Sequence, residues 1–103
     1  MKIIKLLSEM IEEEIEDACK YVREAIKYRD QYPEISRLFG SLSSEEMDHM
    51  RRLHDAVADM INEYRRDRGE PPSEMMAIYD YLHERHVKKA AEVRELQAMF
   101  REG

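Results

Sequence analysis

The chain has 103 residues, 39% charged and 43% hydrophobic, with 23 acidic against 17 basic side chains and a net charge of −6. That balance fits a small water-soluble domain and argues against a general nucleic-acid binder, which needs a basic surface to neutralise phosphate. Three Gly, three Pro, six Tyr, two Phe and no Trp leave little material for turns and strands, so the expected class is all-α.

No apolar run approaches the ~18 residues of a membrane span, and Met1-Lys2-Ile3-Ile4-Lys5-Leu6-Leu7 carries no secretory core. The expected location is therefore the cytoplasm, with neither a membrane nor a nucleic acid as partner. The lone Cys19 leaves no internal disulfide and no cysteine zinc site. A chain this short buries only about 60–65% of its unfolded surface, so self-association would help it.

Residues 1–103 read as one domain built from long helices at about 2–31, 34–67 and 73–101. The first break is Tyr32-Pro33, because Pro disfavours helical geometry in the residue before it and suits the first turn of the next helix. The second is Gly69-Glu70-Pro71-Pro72-Ser73, with Gly as a helix stop and Ser near the next start. Gly40-Ser41-Leu42-Ser43-Ser44 interrupts the second helix with small residues. Ser43 or Ser44 offers a cap for a new start, but apolar spacing runs straight through and predicts a continuous helix.

A 3,4 spacing along the first helix collects Ile4, Leu7, Ile11, Glu14, Ala18, Tyr21, Ala25, Tyr28 and Tyr32, with Leu6, Met10, Ile15, Val22 and Ile26 widening the stripe. In the second it collects Ile35, Phe39, Leu42, Glu46, His49, Leu53, Ala56 and Met60, flanked by Leu38, Met50, Val57, Ile61 and Tyr64. In the third it gives Met75, Tyr79, Leu82, His86, Ala90, Val93 and Phe100. Glu14, Glu46 and His49 thus fall on expected core positions, while Glu12, Glu13 and Glu16 belong to a solvated face.

An ionised carboxylate in an apolar seam costs several kcal/mol unless it is paired or ligates a metal. Residues three apart on a helix point the same way, so Glu46 and His49 can converge, with Glu14 supplied from the facing helix. Oxygen with imidazole suits iron, manganese or zinc better than calcium. The plainer alternative pairs Glu46 with Arg51 or Arg52 and leaves His49 as a core histidine. Counted from a turn near residue 33, Glu14 and Glu46 are offset by about six residues, some 9 Å along the axis.

The stretch Glu12-Glu13-Glu14-Ile15-Glu16-Asp17-Ala18-Cys19-Lys20-Tyr21, followed by Glu45-Glu46-Met47-Asp48-His49-Met50, resembles the ferritin-like family. The likeness is to its short encapsulated-ferritin branch, with rubrerythrins as longer relatives, and covers about residues 6–61. Glu14 with Tyr21 seven residues on, then Glu46 with His49, match the family's order, and Phe39 resembles a rubrerythrin-type core position.

The resemblance implies metal ligation by Glu14, Glu46 and His49, a di-iron centre and ferroxidase chemistry, with manganese or zinc as other occupants. A complete di-metal bundle needs a Glu from each of two helices and a Glu-x-x-His from each of two more. This chain has only one such set, so a homodimer would complete a four-helix site across a two-fold axis. Tyr21, His83 and His86 are candidates to support the ligands from behind, although histidines that simply pack or face solvent fit the third helix as well.

The long third helix, without a Glu-x-x-His, also allows a metal-free bundle that works by docking a protein partner through that helix. A third reading is an anion-binding oligomer using Arg51, Arg52, Arg65 and Arg66.

Overall fold

The computed structural model describes residues 2–103 and forms α1 (Lys2–Lys27), α2 (Pro33–Arg68) and α3 (Ser73–Glu102), with no strand among the described residues. Pro33 occupies the first turn of α2, where its missing N–H is no loss. Gly69 ends that helix at φ +81°, a conformation that favours glycine, and its N–H donates back to the Arg65 carbonyl at 3.2 Å. Arg65, Arg66 and Arg68 place positive charge against the negative end of the α2 dipole.

The first helix is shorter than its expected end at residue 31. After Lys27 the chain passes into a turn, although the Tyr28 and Tyr32 N–H groups still donate in helical fashion to the Glu24 and Tyr28 carbonyls. Pro33 is the cause: it forces Tyr32 to φ −134°, so the reversal is made before it.

The helix is unbroken through Gly40-Ser44. Ser36 Oγ donates to the Ala25 carbonyl at 2.5 Å and Ser43 Oγ to the Ala18 carbonyl at 2.7 Å. Both pairs repeat after seven residues, two helical turns, so one small-residue contact is used twice and draws α1 and α2 close together. A mid-helix serine usually competes with its own backbone. Here the neighbouring helix takes the hydroxyl, and Gln97 Nε2 of α3 donates to Ser43 Oγ at 3.0 Å.

This close contact sets the inner face: α1 keeps its expected stripe with the Ile15 and Val22 edge, while α2 turns toward its flanking Met50, Val57 and Ile61. Along α1 the buried residues are Ile4, Ser8, Ile11, Ile15, Ala18, Val22 and Ala25, and along α2 they are Ser36, Ser43, Met47, Met50, Val57 and Ile61. The expected core positions Tyr32 and Ile35 are 51% and 46% exposed. On α2 the edge that carries Ser36 and Ser43 turns inward, because these small residues let the backbones approach. On α3 the expected stripe holds, with His86, Ala90 and Val93 buried.

The third helix runs parallel to α1. Its start lies beside Ile4 and Ser8, Lys89 Nζ donates to Glu12 Oε1 at 2.9 Å, and Arg29 Nη2 donates to the Phe100 carbonyl at 2.6 Å. Gly40 permits the end of this packing, since any side chain there would strike the Phe100 ring. Glu12, expected on a solvated face, instead ties the helices together through Lys89 and Arg85. The molecule is a rod of 55 × 19 × 17 Å.

Candidate metal centre

The Ala25–Ser36 and Ala18–Ser43 contacts fix the register of α1 against α2. The chain reversal is centred near residue 30, midway between the end of α1 and the start of α2, rather than at Pro33. That shift removes the expected offset, and Glu14 comes to lie opposite Glu46. One ligand atom from each of Glu14, Glu46 and His49 lies within 4.8 Å of the others, so the three can hold a metal ion between them. His49 Nδ1 is 3.6 Å from Glu14 Oε2 and 3.5 Å from Glu46 Oε1.

Their depth differs from expectation. The Glu14 and Glu46 side chains are 24% and 18% exposed and that of His49 is 50% exposed, so they form a rim beside the core rather than a link within it. Glu12 reaches α3, and Glu14 stands two residues on, about 160° around the helix. The cluster therefore looks away from α3. It opens into a cavity of ≈320 Å³ lined also by Met10, Arg52 and Leu53.

Electrostatics support a cation here. Glu14 Oε2 is buried with no hydrogen-bond partner, an arrangement that folding does not reward unless another group completes it. A hydrogen bond with the Glu14 carboxyl holds the Glu46 pKa above the ordinary carboxylate value, and burial and the Glu14 charge push the same way. The His49 imidazole opposes these effects only partly. Glu46 thus holds its proton more tightly than an ordinary carboxyl, where a metal ion would compensate the charge of both carboxylates. The pairing of Glu46 with arginine is not what forms: Arg51 takes Asp48 at 2.8 Å.

The remaining candidates separate. Tyr21 stacks on Phe39 with centroids 6.3 Å apart, and each lies seven residues from its helix's metal-facing glutamate. The stack therefore sits two turns along the same face, between the centre and the chain reversal. His83 stacks on His54 at 4.9 Å and on Tyr79 at 5.7 Å, while His86 is buried. Both histidines line a different cavity, between α2 and α3. Arg65 pairs with Glu70 at 3.3 Å. Met10 and Arg52 were expected only as a stripe edge and as an alternative partner of Glu46, and their place beside the cluster was hinted at by the four-residue and three-residue steps from Glu14 and His49.

Paired antiparallel helices carrying a carboxylate–imidazole cluster, with a third helix packed behind, define a ferritin-like helical protein. The family model described as Rubrerythrin matches residues 5–102, and the chain belongs to that family. The match extends through α3, well beyond the first two helices whose motifs carried the resemblance. No curated protein and no solved structure matches the chain. Among the described residues no helix is long and apolar enough to cross a membrane.

Proposed function

We propose that the protein binds iron in a dinuclear centre shared by two copies of the chain and oxidises Fe²⁺ there. The observation that carries this reading is the convergence of Glu14, Glu46 and His49 on an open face, with one buried carboxylate oxygen that accepts no hydrogen bond. Each copy would supply two carboxylates and one imidazole, a donor set suited to iron, with manganese and zinc as competitors. Iron as substrate supplies the redox chemistry: two Fe²⁺ give two electrons to dioxygen, which with two protons leaves as hydrogen peroxide.

The chain's own part is to balance charge and position. The glutamates compensate the added positive charge, His49 fixes the cation from the solvent side, and the Tyr21–Phe39 stack covers one end of the face.

Dimerisation finds support in the apolar surroundings. Leu6 and Met10 of α1 and Ile35 and Leu38 of α2 are 37–50% exposed on the side that α3 leaves open. An apolar surface grouped around half a ligand set is suited to a two-fold contact with its own copy. The lone thiol of Cys19 fits a reducing compartment such as the cytoplasm.

Anaerobic titration of the chain with Fe²⁺ tests the proposal. The expected result is one ion per chain, loss of binding in Glu14→Ala and in Glu46→Ala, and oxygen uptake when air is admitted. A chain that takes up no transition metal, or takes it up equally in both variants, refutes it.

A further inference from the structure

A second cavity, ≈190 Å³ in volume, lies between α2 and α3 and has Ile11, Met50 and Ala90 among its walls. It is separate from the metal centre. Arg51 at its mouth stands two residues beyond His49, about 160° around α2. Its deepest polar group is His86, 6% exposed, whose Nε2 has no hydrogen-bond partner. Burial holds this imidazole's pKa below the usual histidine value, which leaves the ring neutral. An apolar chamber with one neutral, unsatisfied nitrogen in it calls for a ligand with a polar atom at its inner end.

Two arginines also line the cavity. Arg51 is engaged by Asp48 at 2.8 Å, which leaves Arg94 to meet an anion, and guanidinium groups favour carboxylates. The neighbouring histidines do not form a metal cage. The His54 and His83 rings stack at an interplanar angle of 28°, so their nitrogens do not converge, and among the described residues only the Glu14 group gathers three ligand atoms.

We infer that this cavity binds a small hydroxylated aromatic carboxylate, with its carboxylate on Arg94, its ring on Met50 and Ala90, and its hydroxyl on His86 Nε2. A hydroxyl both donates and accepts, so it serves either tautomer of His86. Apolar cavities of about 150 Å³ accept a benzene ring, which sets the scale for a ring with two small substituents.

The test uses the full chain, freed of metal by chelation, titrated with 4-hydroxybenzoate and followed by NMR of the histidine rings and methionine methyls. The expected result is saturable shifts at His86 and Met50, with benzoate bound more weakly because it lacks the hydroxyl. Arg94→Gln weakens 4-hydroxybenzoate by about 10-fold, the loss of one charge-assisted hydrogen bond. Val87→Trp blocks binding from a lining position that is 54% exposed, so the core beneath is left in place.

Absence of saturable shifts at His86 overturns the inference, as does binding that Val87→Trp leaves intact. Equal affinity for inorganic phosphate refutes the aromatic body, and a response of His54, His83 and His86 to Zn²⁺ alone refutes the anion.

Discussion

At the scale of single residues, two glutamates two positions apart respond to pH in opposite ways. Lys89 donates to Glu12, and that hydrogen bond holds its pKa below the ordinary carboxylate value. Glu12 therefore contributes stability that is present above the ordinary value and lost as pH falls through its lowered one. Being part-exposed, the pair contributes no more than about 1 kcal/mol. Glu46 is the reverse: its raised pKa favours the fold below the ordinary value, and that advantage is lost as pH rises through the raised one. Denaturant titrations of the metal-free chain from acid to neutral pH should show this directly. Glu46→Gln gains stability over the parent chain as pH rises, Glu12→Gln falls behind it over the same range, and added Fe²⁺ reverses the first difference.

That Glu14, Glu46 and His49 would gather was legible in the sequence, because they interrupt otherwise apolar stripes. Their depth was not. Spacing shows which residues share a stripe, but where two neighbouring stripes are both apolar it does not show which one turns inward. That choice was made by Ala18, Ala25, Ser36 and Ser43, whose small size matters only once two helices are in contact. Glu12 was misread for a similar reason, since its partners Lys89 and Arg85 come from a helix more than seventy residues away.

At the scale of elements, helix number, breaks and the unbroken course of α2 followed from Pro33, Gly69 and the apolar rhythm. The register did not, because a proline marks where a helix starts and not where the chain turns. The end of α3 offers a test of helix-to-helix packing. Gly40 costs α2 about 1 kcal/mol of helix propensity relative to alanine. Gly40→Ala recovers that gain fully only where the Phe100 ring is gone, because the new methyl and the ring compete for one space. Thermal unfolding of Gly40→Ala, Phe100→Ala and the double variant should give a non-additive coupling of about 0.5–3 kcal/mol, the range for residues in contact. Simple additivity would show that the ring does not rest on Gly40.

At the scale of the whole molecule, the hairpin of α1 and α2 has two broad faces and only one third helix. One face is covered by α3, and the other carries the Glu14, Glu46 and His49 cluster among exposed leucine, isoleucine and methionine. Leu38→Glu isolates the role of that second face, since Leu38 is 50% exposed and is no ligand. Sedimentation should show the parent chain as a dimer and the variant as a monomer of unchanged helicity, with weakened Fe²⁺ binding. A variant that remains a dimer with full affinity would separate the metal site from self-association.

The fastening of α3 is uneven along its length. From Arg85 onward it is held by polar contacts to Glu12, to Ser43 through Gln97 and to Arg29. Nearer its start it rests on the packing of Met76 and Tyr79 and on the His54–His83 stack, beside an open groove of ≈460 Å³. The expected order of thermal fraying is therefore from Ser73 toward Phe100. Amide deuteration should follow the same gradient, quick over the opening turns of α3 and slow around Val93.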